Sequence, residues 1–194
     1  MVTSAEPSGA IDFAFRSAVL DAAIVVVERE GTPAVTTREI AAAAGVDDAT
    51  VVDAFASTDE LLVEAALDAC SRDLSTFEIE ASDTPPLSAF AHHYAKRRLF
   101  YRALRIGAMA QKIDARMGPF IVSRVESRIR FFFGTRLGEA QITREARRIT
   151  TEATHITNSW IVDETWDGNP DDLYRALDAL LMENVTSIRP SSLS

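Results

Sequence analysis

The sequence predicts an all-α protein: a head of three helices at the N-terminus, joined to a larger helical domain. Three observations carry this. Apolar residues recur at spacings of three and four along the whole 194-residue chain. Capping residues, Thr, Ser, Asp or Asn, stand just before several of these stripes. No run of alternating apolar and polar residues is long enough for a strand.

Phe15, Val19, Ala23, Val26 and Val27 form one apolar stripe, a first helix that Gly31 and Pro33 bring to a stop. In TTREIAAAAG, Thr36 can cap a second helix, and Glu39, three residues on, completes a capping box. Ile40, Ala41 and Ala44 then face inward, and Gly45 ends the helix after about two turns. Val46 plugs the turn. Asp47 caps a third helix whose Val51 and Phe55 return to the same core. STDE at 57–60 is a second capping box and opens a long helix through 60–81.

The paired prolines of SDTPP, 82–86, cannot continue a helix and mark a break. Leu87–Ala110 reads as helical and contains the basic run KRRLFYRALR, the pattern of a solvated face that offsets an acidic neighbour. Gly118-Pro119 reads as punctuation. A helix follows from Phe120 to Leu137, with Gly138 as its stop. Ile142–Asp163 is predicted to be a long helix with one seam: Ile142, Ala146, Ile149, Ala153, Ile156 and Trp160. After the loop DGNP, Asn169 caps a last helix with Pro170 at its first position. Leu173, Leu177, Leu180, Leu181, Val185 and Ile188 line its apolar face, and RPSSLS is a frayed tail. Both seams look too continuous for one small domain to bury alone. The predicted domains are 10–56 and 57–190.

Charge is unevenly placed. The whole chain carries -9, yet residues 1–70 hold three basic residues (Arg16, Arg29, Arg38) against thirteen acids, a sum of -10. The single Cys70 has no partner for an intrachain disulfide, which fits a reducing cytoplasm. The N-terminus lacks a basic region followed by an apolar core, and AAIVVV is too short to span a bilayer. His92, His93 and His155 are too scattered for a metal site, and the reading for them is exposed or hydrogen-bonded side chains. No nucleophile elbow or phosphate loop is present, so the expectation is a protein without enzymatic activity, metal or cofactor.

The order VLDAAIVVVEREG, TTREIAAAAGV, a short helix ending in Phe55 and STDELL resembles the TetR/AcrR family of one-component bacterial regulators across residues 16–67. The resemblance implies a helix-turn-helix that reads operator DNA, and a C-terminal helical domain for ligand binding and dimerisation. It implies a cytoplasmic homodimer whose last two helices pair with those of a second subunit. On that pattern Thr36, Thr37, Arg38, Asp48, Thr50 and Asp53 fall at DNA-facing positions. The sequence departs from the family where Asp47 and Asp48 open the third helix, Val52 replaces a usual Tyr, and Asp53 replaces His or Tyr. Asp47 and Asp48 also suit a helix N-terminus as cap and first-turn acid. Asp53 lies beyond the first turn, and a carboxylate can accept from the amino group of cytosine. Candidate ligand-binding residues are Tyr101, Arg124, Arg128, Phe132, His155 and Asn158; an inward arginine favours an anionic or carboxylate effector. The expected function is small-molecule sensing coupled to operator binding. The acidic head keeps one alternative open: a ligand-responsive interaction partner of the same shape without independent DNA binding.

Overall fold

The computed structural model describes residues 8–80 and 86–188. Regular structure among them is entirely helical: α1 (Ser8–Glu30), α2 (Thr37–Ala44), α3 (Asp48–Ala54), α4 (Thr58–Glu80), α5 (Pro86–Lys96), α6 (Arg98–Leu104), α7 (Ala108–Phe133), α8 (Glu139–Val162) and α9 (Pro170–Ser187). The extreme N-terminus, most of the SDTPP break and the RPSSLS tail lie outside the described residues. The chain forms two compact units. One takes the described residues up to Arg72 together with Leu99–Ala110, and the other takes Asp73–Arg98 and the described residues from Gln111 onward.

In the first unit, Val19, Ala23, Val26 and Val27 of α1 are fully buried, as their spacing predicts, while Phe15 is half-buried. Helix α1 packs on α2, and α2 on α3. Ile40 and Ala41 of α2 are buried, and Ala44 is half-buried. Gly45 closes α2 at φ 68°, a left-handed conformation that glycine adopts without a Cβ clash. Val51 and Phe55 return to the core. Arg16 ties this packing together: it stacks 4.6 Å over the Phe55 ring, donates to the Ala54 carbonyl at 3.3 Å, and pairs with Glu64 on α4. From α6, Phe100, Tyr101 and Leu104 are fully buried, and the Tyr101 hydroxyl donates to the Ala66 carbonyl at 3.3 Å.

In the second unit, α9 packs on both α5 and α8. Ile129, Leu137, Ile142, Ala146, Ile149 and Ile188 form one apolar cluster, with Val122, Val125, Phe133 and Leu181 against it. The seams of α8 and α9 are covered in part within this single chain, with Leu180 and Leu181 half-buried. Leu173 and Leu177 are 0% and 1% exposed, and Ile142, Ile149 and Trp160 are likewise buried. Each such side chain stabilises the fold by roughly 1.5–3 kcal/mol. Ala153 and Ile156 are only half-buried; Thr150, Thr157 and Ile161 take the buried positions instead, as the inward face drifts around α8.

Three boundaries differ from the sequence expectation. Leu87–Ala110 is not one helix: the chain turns at Arg97 and again at Gly107, where φ is 59°. Gly118-Pro119 does not break α7, which runs through with Pro119 inside it. Proline removes one hydrogen bond, typically at a cost of ~3 kcal/mol, and burial of Ile113 and Met117 before it and Ile129 after it outweighs that local penalty. Helix α7 then ends at Phe133, because Gly134 adopts φ 56° and a short 3-10 turn follows; Gly138 is the N-cap of α8.

Candidate nucleic-acid interface

The α2–turn–α3 segment is set by its ends. The Thr36 hydroxyl accepts from the Glu39 N–H at 3.2 Å, and the Glu39 carboxylate accepts from the Thr36 N–H at 2.7 Å. The Thr36 N–H, and next its hydroxyl, hold the Glu39 carboxyl below its ordinary range. Asp47 caps α3 by accepting from the Thr50 N–H at 3.3 Å. The Val46 N–H donates back to the Ala41 carbonyl at 3.0 Å and closes the turn.

This frame fixes which side chains look outward. Thr36, Arg38, Thr50 and Asp53 are exposed, and Thr37 and Asp48 are half-buried. Val51 points inward with no exposure, whereas its neighbour Val52 is 54% exposed. Arg38, the sole cation of α2 and α3, extends into solvent with its Nε 3.9 Å from an Asp48 carboxylate oxygen. Sequence spacing does not reveal that pairing. All three basic residues of the first 70 have an acidic neighbour: Arg16 with Glu64, Arg29 with Glu30 at 2.8 Å, and Arg38 with Asp48.

Residues 19–65 match the family described as bacterial regulatory proteins, tetR family. Over those residues the head is similar to the tetR family. No curated protein matches the sequence. Among solved structures, the chain is similar to the multidrug binding protein EbrR complexed with imidazole: TM-score 0.53, 18% identity, 85% of this chain and 93% of that one. It is also similar to the fatty acid degradation regulator FadR from Bacillus halodurans: TM-score 0.57, 14% identity, 89% of this chain and 99% of that one. Such likeness extends the regulator fold beyond the tetR head. The shared feature is the helical fold.

The candidate effector residues are placed as follows. Tyr101 is buried in the same unit as the tetR head. In the other unit, Arg124 lies 3.9 Å over the Phe120 ring, and exposed Arg128 lies 4.9 Å over Phe132 and 5.5 Å over Phe131. The structure thus brings Arg128 and Phe132 together. His155 is exposed on α8 and Asn158 is half-buried.

A polar cluster in the C-terminal unit went unrecognised in the sequence. His93 is buried, and its Nδ1 lies 2.8 Å from Asp73, which also receives Arg97 Nε at 3.2 Å and Lys96 Nζ at 3.5 Å. Burial pushes the His93 imidazole below its ordinary range despite the carboxylate beside it. For Asp73, burial opposes its charge, but the hydrogen bond from His93 and the cations Arg97 and Lys96 outweigh it and hold the carboxyl far below its usual range. Arg98 donates to the carbonyls of Trp160, Asp163 and Trp166 at 3.0, 2.8 and 3.0 Å and stacks on the Trp160 ring. Arg97 and Arg98 of the basic run are therefore engaged inside the C-terminal unit, while Lys96 is exposed and reaches Asp73 from the solvated side. Among the described residues, no helix is long and apolar enough to cross a membrane, and no three His, Cys, Asp or Glu gather to hold a metal ion.

Proposed function

We propose that the chain is a one-component regulator: a cytoplasmic homodimer that binds operator DNA through α2 and α3 and changes that binding when the C-terminal domain takes up a small molecule. The observation that carries the DNA reading is the capped α2–turn–α3 frame of the tetR head, with Thr36, Thr37, Arg38, Thr50 and Asp53 on its accessible side. A helix held this way can enter the major groove and present its outward side chains to base edges.

Affinity for generic DNA is expected to be low. Most non-specific affinity comes from cations that neutralise phosphates, and here the cations have acidic neighbours. The names of EbrR and FadR, a multidrug binder and a regulator of fatty acid degradation, support an apolar effector for this chain. Arg124 and Arg128, each over an aromatic ring, suit an effector with a carboxylate as well as an apolar body. Tyr101, Phe132, His155 and Asn158 complete the candidate set.

The test is fluorescence anisotropy on the DNA upstream of the protein's own gene, with a salt series. Specific binding is expected with few phosphate contacts, each adding ~0.9 to the slope of log affinity against log salt. A folded dimer that binds no duplex even at low salt would sink the operator reading and leave an interaction partner of the same shape.

A further inference from the structure

Helix α3 carries no Lys, Arg, Asn or Gln, so it lacks the side chains that read guanine or adenine with two hydrogen bonds. Its exposed residues are Ala49, Thr50, Val52 and Asp53. At about 100° per residue they span one arc in the order Val52, Ala49, Asp53, Thr50. One edge of the arc is apolar, the centre is an acceptor, and the far edge is a hydroxyl. Val51 fills the core from the opposite side, so Val52 has no inward role.

We propose that α3 reads a thymine and an adjacent cytosine in its half-site, through Val52 and Asp53, and rejects guanine; this rests on the operator reading above. The thymine C5-methyl is the apolar group that the major groove offers, and Val52 is the large apolar side chain that α3 turns outward, beside the smaller Ala49. The Asp53 carboxylate only accepts. Cytosine presents an amino donor there, whereas guanine presents N7 and O6, two acceptors that repel a carboxylate. Adenine has an amino donor but sets its N7 acceptor beside it. Val52 and Asp53 flank Ala49 on the exposed arc, about 100° apart and ~1.5 Å along the helix axis, so both side chains can enter one groove and address neighbouring base pairs. Arg38, the cation that could seek guanine, sits on α2 with its Nε 3.9 Å from Asp48.

The experiment is selection of binding sites from random duplexes by the full-length dimer at low salt. Enriched half-sites should place thymine beside cytosine on one strand. Replacing that thymine by uracil removes only the methyl group and should weaken wild-type binding about fourfold, with no further effect on Val52→Ala. Asp53→Asn should move the preference from cytosine to adenine by roughly tenfold, because Asn pairs with adenine N6 and N7. Both positions face solvent, and circular dichroism checks that the variants fold. Guanine enriched at the position that Asp53→Asn shifts would overturn the inference while operator binding stands. So would base preferences unchanged in both variants. A folded wild type that enriches no sequence would remove the operator reading and this inference together.

Discussion

Thr36 satisfies a backbone donor at the start of α2 with its hydroxyl, and Glu39 satisfies the reciprocal one. Thr36→Ala should lower unfolding free energy by ~1 kcal/mol, read as a reduced urea midpoint with an unchanged slope. Capping boxes are legible in sequence because the interaction is local. The surroundings of His93 are not, since Asp73 approaches it from twenty residues away. That cluster carries a pH dependence. Below about pH 6.5 an unfolded histidine binds a proton that buried His93 resists, so acidification favours unfolding. Asp73 has the same sign at lower pH: its carboxyl is more acidic in the fold than in the unfolded chain, which stabilises the fold above about pH 4, and that contribution is lost below. Urea midpoints should therefore fall between about pH 7.5 and about pH 5.5, and fall again under pH 4. His93→Gln should flatten the first step. A midpoint constant across the first interval would mean that His93 is protonated in the fold.

The end of α8 shows how an element depends on a distant side chain. Its last carbonyls have no partner within the helix, and Arg98 reaches across to donate to that of Trp160, with those of Asp163 and Trp166 beyond it. Arg98→Ala removes three charge-assisted hydrogen bonds and the stack on Trp160. The expected loss is about 2–3 kcal/mol, measured by denaturant unfolding, with Arg98→Lys recovering only part of it. Loss under about half a kcal/mol would mean that water replaces the guanidinium without penalty. Spacing alone placed Arg98 in a basic run. Deciding that it turns inward required the turn at Arg97, which no composition signal marks. The continuity of α7 through Gly118-Pro119 has the same origin: apolar packing on both sides outweighs a local breaker.

At the scale of the molecule, the head's negative charge bears on the proposed DNA binding. Asp48→Lys with Asp53→His reverses or removes two acids and relieves Arg38 of its neighbour. Generic duplex affinity should rise, and the salt slope should steepen by ~0.9 for each additional phosphate that the variant neutralises. Unchanged generic binding would mean that the acids do not limit access. Dimerisation is tested on the outward faces, because Leu177 is already buried within one chain and Leu177→Glu would unfold it. Ala179 and Met182 are exposed on α9, and Val162 is exposed on α8. Ala179→Glu with Met182→Glu should yield a folded monomer by light scattering, where the proposed function expects a dimer for the wild type. A dimer that persists in this variant would move the interface away from that face.

The sequence alone established the helices of the head, their caps at Thr36 and Asp47, the stop at Gly45 and the inward positions Val51 and Phe55. All of these depend on neighbours within a few residues, where helical periodicity and capping chemistry act alone. It also determined the acidic balance of the head, which is a property of composition. The tertiary structure decided which charges are available. Arg16, Arg38 and Arg98 look alike in sequence, yet one staples α3 to α4, one extends to solvent beside an acid, and one closes α8. The physical reason is range: caps and stripes are set by bonds and torsions close by, whereas the partner of a long charged side chain is set by whichever carboxylate or carbonyl the fold brings within about 4 Å.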